Sequence, residues 1–408
     1  MPEVRRLLAR VGAVDPESLD SYRDAGGYGA LAATVERGPA WVLSEMEASG
    51  LLGRGGAAFP AGRKWRAVAG AGGRRRIVCN ADESEPGTFK DRILMEEDPF
   101  AVVEAMSIAA LTVGAENGLV YIRGEYALAA ERLGLAIRQA EDAGLLGADV
   151  AGTGRPFRIV VFRGAGAYVC GEETALFNSV EGRRGEPRNK PPFPTQVGLF
   201  GDPTLVNNVE TFCNIPVLLR EGAAAFRRYG TDRSAGTKLF CVSGHVERPA
   251  VYEVPFGTTL RELLSLAGGV WRGRKLKAVL CGGAAGTFLG PDQVDVPLTF
   301  EDLAAVGGTI GSGAVIVLDE TAPLWDVVRR VARFFQEESC GQCVPCRVGT
   351  QRQMEIVERL AAGRGGPNDA ALLREIGAAM ADASICGLGQ TAAGAVLSAL
   401  ALAPRISA

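Results

Sequence analysis

The sequence predicts an α/β protein followed by a small α+β module and a helical bundle, and three observations carry that reading. Apolar runs alternate with glycine loops and helical periods over residues 1–232, the grammar of an α/β unit. Near Thr237 the rhythm changes to short paired strands around tight turns, marking a second unit over 233–320. From Pro323 onward only helical spacing remains, so 321–408 reads as a bundle.

In chain order, Ala40 to Gly50 is a helix stopped by its glycine, and Arg76 to Asn80 a buried strand running into an acidic loop. Pro99 to Val113 and Ala127 to Ala143 are helical by period. Phe157 to Phe162 alternates as a strand, and the turn Gly164-Ala165-Gly166 leads to a helix over Glu172 to Val180. In the second unit Lys238 to Val242 and Ala250 to Val254 pair around a turn at Gly244 to Pro249. Thr259 and Glu262 form a capping box that opens a helix to Ala267. Strands at Ala278 to Cys281 and Ala314 to Leu318 complete a β-grasp-like module. The bundle has stops at Cys340 to Cys346, Gly363 to Pro367 and Gly387 to Gly389.

Composition narrows the function. With 408 residues, 47% hydrophobic and 22% charged, the chain can bury large cores, which excludes disorder, collagen and coiled coil. Lys and Arg number 44 against 47 Asp and Glu, so no basic field exists to hold nucleic acid, and none is expected as a partner. No apolar run reaches the ~18 residues of a membrane span. The longest, Ala101 to Ala115, is cut by Glu104, so no direct membrane insertion is expected. Met1 to Asp20 lacks the apolar core of a signal peptide, and the chain reads as cytoplasmic. His245 is the sole histidine, which removes most hydrolase mechanisms.

The nine cysteines read as reduced thiols or metal ligands. Cys340, Cys343 and Cys346 are spaced two residues apart, and Cys386 arrives one helical hairpin later. Three thiolates in a tight loop and a fourth from a remote segment suit a [4Fe-4S] cubane. A four-cysteine zinc site is the alternative, although zinc more often uses two separated knuckles. Cys79, Cys170, Cys213, Cys241 and Cys281 lie in apolar segments and read as core.

Gly53-Arg54-Gly55-Gly56-Ala-Ala-Phe59-Pro60 partly matches a dinucleotide fingerprint but follows a helix rather than a strand. With Lys64 nearby, it combines bare backbone donors with a cation, which suits a flavin phosphate or ribityl chain. Asn80, Asp82, Glu83 and Glu85 follow a strand, where side chains of an α/β sheet face the ligand crevice. Tyr168, Glu172 and Glu173 follow a second strand and glycine turn, and Asn207, Asn208 and Thr211 add amides able to read a heterocycle. Lys190-Pro-Pro-Phe193 offers a charge and a ring in a stiff segment. Polar loops without an acid/base centre suggest a redox cofactor, and hydride transfer fits.

These stretches, in this order, resemble the NADH-binding flavoprotein subunit of respiratory complex I and the diaphorase subunits of soluble NAD-linked formate dehydrogenases and hydrogenases. The resemblance covers essentially the whole chain. It rests on Gly53 to Pro60, Asn80 to Asp91, Gly164 to Ala175, Lys190 to Phe193, Asn207 to Thr211 and Glu338 to Cys346. It implies a Rossmann-like FMN/NAD-binding domain, a β-grasp-like domain and a helical bundle carrying a [4Fe-4S] cluster on Cys340, Cys343, Cys346 and Cys386. It also implies FMN against Gly53, Arg54, Gly55, Gly56, Lys64, Asn80, Asp82, Tyr168, Glu172, Asn207, Asn208 and Thr211. Phe59, Glu83, Glu85, Glu173, Lys190 and Phe193 would line the NADH site, with Glu85 and Tyr168 orienting and no residue acting as acid or base. Hydride would pass from NADH to FMN, then electrons singly to the cluster. The implied next acceptor is a small thioredoxin-fold partner with a [2Fe-2S] cluster, within complex I or beside molybdenum or hydrogenase subunits. Through complex I the chain would be peripheral to the inner face of the cell membrane. Two positions depart from the family: Ala58 replaces a usual glycine, and Ala67 stands where many relatives have a larger apolar residue. The segment Cys386 to Thr391 resembles the soluble diaphorase branch at least as well as the complex I branch. A rival of another class is a non-catalytic iron–sulfur electron-transfer subunit.

Overall fold

The computed structural model describes residues 3–406, so residues 1–2 and 407–408 of the expected outer units lie outside it. The first sheet contains β1 (Arg76–Ala81), β2 (Asn117–Arg123), β3 (Arg158–Gly164) and β4 (Thr204–Asn208). All its pairings are parallel, in the order β3-β2-β1-β4. Helices cover its faces, so β1 buries Ile77, Val78 and Cys79 without alternation. Helix Pro99–Val113 is buried along its whole length. Glu104, the charge that interrupts its apolar run, accepts hydrogen bonds from Tyr22 Oη at 2.5 Å and from the Ala30 and Leu31 N–H groups at 3.1 Å. A carboxylate with three donors can sit in a core that an unpaired one could not.

From β1 the chain steps outward to β2 and β3, then returns to place β4 on the opposite side of β1. The reversal opens a crevice at the carboxyl ends of β1 and β4, where α/β sheets bind ligands. Asn80 and Asn208 are register partners at that edge.

The second sheet contains β5 (Thr237–Gly244), β6 (Ala250–Pro255), β7 (Leu276–Cys281), β8 (Thr287–Leu289) and β9 (Ala314–Asp319), in the order β6-β5-β9-β7-β8. β5 pairs antiparallel with β6 and parallel with β9, the mixed pattern of a β-grasp-like module. The capping box forms as expected, with Thr259 and Glu262 bonded reciprocally.

The C-terminal helices Leu324–Glu338, Val344–Ala361, Asp369–Ala383 and Gly394–Ile406 share one core with a face of the first sheet, where Phe335 and Leu388 join Val78, Tyr121 and Val206. Two expected stops are corrected. Helix Val344–Ala361 begins inside the cysteine loop, because Pro345 suits a first turn, so Cys346 is helical. Gly387 opens a short helix, Gly387–Thr391, rather than ending one. The membrane expectation also needs correction. The 18-residue window Gly387–Pro404 is long and apolar enough by composition, with mean hydropathy 1.2. It is nevertheless split into two helices around Ala392 and Ala393, and Ala395, Val396, Ala399 and Leu402 are buried in the protein core.

Candidate cofactor site

The crevice widens into a cavity of about 750 Å³. The glycine loop, between helices Pro39–Ser49 and Ala61–Ala69, forms one wall. A Cβ on Gly55 would approach Asn208 Cβ to 3.0 Å, so the bare backbone is required there. Gly53 lines the cavity, whereas Gly56 packs toward the Gly311 backbone. Arg54 is turned away. Its fully buried guanidinium donates to the carbonyls of Leu52 at 3.0 Å and Ala235 at 2.7 Å and lies 4.6 Å over the Phe256 ring. Ala58 stands at φ +51°, the left-handed conformation that favours glycine.

At the sheet edge, Asn80 Nδ2 donates to Gly171 O at 2.8 Å. Asn208 caps helix Val209–Glu221, and its Nδ2 donates to Asp91 Oδ2 at 2.6 Å. Asn207, oriented to satisfy both its groups, accepts from Trp65 Nε1 at 2.8 Å, and Thr211 Oγ1 accepts from the Arg54 N–H at 2.9 Å. Asp82 accepts from the Ser84 hydroxyl through Oδ2, while its buried Oδ1 has no partner. Burial pushes this carboxyl up to about 7, against smaller opposing effects of Ser84 and Arg123.

Glu83 has φ +37°, and its side chain is engaged within the protein. The carboxylate accepts the N–H groups of Asp91 at 2.6 Å and Arg92 at 2.8 Å, capping helix Lys90–Glu97, and burial raises its pKa. Glu85 accepts the Ala285 N–H at 2.8 Å, tying the cavity to the loop after β7, and burial raises it to about 7. Glu172 caps helix Glu173–Val180, accepting from the N–H groups of Thr174 and Ala175 at 2.9 Å. Lys190 Nζ donates to Glu172 at 2.7 Å and to Glu173 at 3.0 Å. Lys64 Nζ donates to Val206 O at 3.0 Å and lies 3.8 Å from Glu173. Phe59 and Phe193 remain about half exposed on the cavity lining, at 51% and 54%. Tyr168 packs edge-on against Phe334, and its N–H donates to Glu338 at 2.9 Å.

The residues present fit a flavin phosphoribityl group: a glycine cradle, a cation at Lys64 and an unpaired buried oxygen on Asp82 that calls for a donor. Sequence reasoning missed Thr88, Lys90 and Ser312, which also line the cavity. Thr88 and Ser312 hydroxyls meet at 2.7 Å from segments far apart in sequence. The Gly311-Ser312-Gly313 turn was the one available signal.

Cys386, Gly387 and Leu388 close the cavity on the side of the bundle. Cys343 and Cys386 both occupy helix N-caps, where the helix dipole favours a thiolate. The Leu388 and Gly389 N–H groups point at Cys386, and Cys340, Cys343 and Cys386 all act electrostatically on Cys346. A Cβ on Gly389 would fall 2.9 Å from Cys346 Cβ, so glycine alone lets the two segments close. Among the described residues no three Cys, His, Asp or Glu side chains converge on one ion. The donor set fits a cubane, whose thiolates stand wider apart than the ligands of a single zinc. The remaining five cysteines are buried in the core, as expected.

Comparison with known proteins agrees with this geometry. The Nuo51 FMN-binding domain family matches residues 46–217, the SLBB domain 239–280, and the NADH-ubiquinone oxidoreductase-F iron-sulfur binding region 326–404. An NADH-quinone oxidoreductase flavoprotein of Rhizobium meliloti (strain 1021), the second F-type chain of that organism, is 43% identical over 97% of this chain and 94% of its own. The NADP-reducing hydrogenase protein HndC of Solidesulfovibrio fructosivorans is 44% identical over 98% of this chain and 81% of its own. A chain of the NAD+-reducing [NiFe]-hydrogenase in the H2-reduced state superposes with TM-score 0.86 at 36% identity, covering 100% of this chain and 67% of that one. The chain therefore belongs to the family of the complex I NADH-oxidising flavoproteins and the hydrogenase diaphorases, built on FMN and a [4Fe-4S] cluster.

Proposed function

We propose that the crevice holds FMN against Gly53, Gly55, Gly56, Lys64, Asn80, Asp82, Tyr168, Glu172, Asn207, Asn208 and Thr211, and that Cys340, Cys343, Cys346 and Cys386 hold the cluster. NADH then lies beside Phe59, Glu83, Glu85, Glu173, Lys190 and Phe193. The observation that carries this reading is the shared wall: Cys386 to Leu388 line the same cavity as Asn80, Asn208 and Gly55. Arg54 serves by bracing the loop. The units 1–232, 233–320 and 321–408 correspond to FMN/NADH binding, a β-grasp-like brace and the cluster-bearing bundle.

Bound FMN takes a hydride and yields electrons that the cluster accepts singly. The protein's task is orientation, since stacked rings at near-attack distance need no side-chain base. Exposed Phe193 offers a face for adenine, and Tyr168, fixed against Phe334, keeps its backbone bonded to Glu338 next to the cysteine loop. His245 plays no part; its Nδ1 lies 3.1 Å from Asp319, at the end of β9.

The Glu173 carboxylate favours NAD over NADP, because it would repel a ribose phosphate. HndC is named for an NADP-reducing hydrogenase, so coenzyme choice belongs to individual chains and not to the family. The next acceptor is a small thioredoxin-fold [2Fe-2S] protein within a larger assembly. Val344 and Val348, 58% and 45% exposed beside Cys343, give it an apolar landing face. We place the chain in the cytoplasm as part of complex I, peripheral to the membrane; a soluble diaphorase assembly is the alternative.

Anaerobic titration of the iron-reconstituted chain with NADH tests this reading. Flavin and iron–sulfur bands should bleach in stoichiometric proportion. An iron band without a flavin band would reduce the chain to an electron relay.

A further inference from the structure

Beside the cavity lie four buried charges that the proposed hydride path does not use. Lys90 Nζ is 2.8 Å from Asp91 Oδ1 and 2.9 Å from Glu210 Oε2, and Lys238 Nζ is 2.6 Å from the same Glu210 oxygen. None of these side chains is more than 3% exposed. Lys90 and Asp91 open helix Lys90–Glu97, Glu210 lies in the first turn of helix Val209–Glu221, and Lys238 comes from β5 of the second sheet. Desolvating an ion costs several kcal/mol, and apolar replacement of a buried pair is often neutral or stabilising. Fold stability alone is therefore a poor reason for the cluster.

Its connections supply a better one. Asp91 Oδ2 accepts from Asn208 Nδ2 at 2.6 Å, and Asp91 Oδ1 accepts the Glu210 N–H at 3.1 Å. Asn208, Lys90 and Asp91 all line the cavity. Lys238 also donates to Ser312 O at 3.3 Å, and Ser312 lines the cavity as well. We propose that Lys238 is a positioning residue for the flavin, acting through Glu210, Lys90 and Asp91 to fix Asn208 and to set the charge beside the isoalloxazine site. The second sheet thereby tunes a redox centre from which it is separated in sequence. The inference rests on the cavity holding FMN.

Two-electron reduction at neutral pH adds negative charge to a flavin, so nearby charge tunes its potential. Potentiometric titration of the FMN-loaded protein, with FMN dissociation measured alongside, tests the idea. Lys238→Met should move the midpoint potential to more negative values and weaken FMN binding several-fold. Lys238→Met with Glu210→Gln restores the net charge and should return the potential toward wild type. Glu210→Gln alone should move it the opposite way, and keeps the test alive if Lys238→Met does not fold. Variants that bind FMN weakly with an unchanged potential would make the cluster merely structural and overturn the inference. A wild-type chain that binds no FMN would instead overturn the cofactor reading beneath it.

Discussion

Glu173 and Lys190 stand 3.0 Å apart on the cavity lining, and Lys64 approaches Glu173 from the opposite helix at 3.8 Å. The carboxylate is partly neutralised yet still accessible, at 25% side-chain exposure. Such a group can turn away a ligand phosphate at short range while the two lysines hold it in place. Like charges brought together cost several kcal/mol. Glu173→Gln should raise kcat/KM for NADPH by about tenfold or more and leave NADH turnover within a few-fold. Steady-state rates with both coenzymes check this, and continued exclusion of NADPH would move selectivity to another residue.

Gly389→Ala tests the cluster geometry without touching a ligand. The added Cβ would fall 2.9 Å from Cys346 Cβ and against the Ser384 hydroxyl, forcing the Cys386 segment outward. Iron and acid-labile sulfide should drop well below four per chain, as they should in Cys386→Ser. Full iron content in Gly389→Ala would mean that the two segments need not close.

Ala58 holds a left-handed backbone conformation that costs a non-glycine residue about 1–2 kcal/mol. Ala58→Gly relieves that strain, at about 0.5–1 kcal/mol of added chain entropy in the unfolded state. A net gain of about 0.5 kcal/mol is expected, seen as a slightly higher Tm by calorimetry. A lowered Tm would show that the Ala58 methyl packs usefully on the cavity wall.

The Asp82 carboxyl should tilt the pH dependence of stability. Burial raises it from its ordinary value near 3.8 to about 7, so the folded chain keeps a proton that the unfolded chain releases. Between about pH 4 and 7 the folded state binds more protons, and stability falls as pH rises, by at most about 1.4 kcal/mol per pH unit from this group. Asp82→Asn should flatten that slope in flavin-free protein melted at pH 5 and pH 7.5. An unchanged slope would assign the protons elsewhere.

Much of this architecture was legible because local chemistry decided it. Thr259 and Glu262 capped their helix as spaced, and Gly50 ended another. β2 and β4 escaped notice because central parallel strands are buried on both faces and do not alternate; Leu205 and Val206 are buried in succession. β8 was lost because three residues carry no period. The polar positions of the cavity were visible as motifs, but side-chain direction was not. Arg54, amid glycines, turns into the core, and Glu83 spends its carboxylate on a helix end. Ser312 and Lys238 could not be read as site residues, since only the packing of the second sheet brings them there.

The cavity has a further property in time. Its wall runs from Gly53 through Ser312 to Leu388. A chain made from its N-terminus folds its early domains first, yet this binding site has no complete boundary until synthesis has passed Leu388. Flavin capture is therefore a step of maturation that follows translation of nearly the whole chain, and a ribosome stalled in the bundle would display a folded sheet with an open, unsealed crevice.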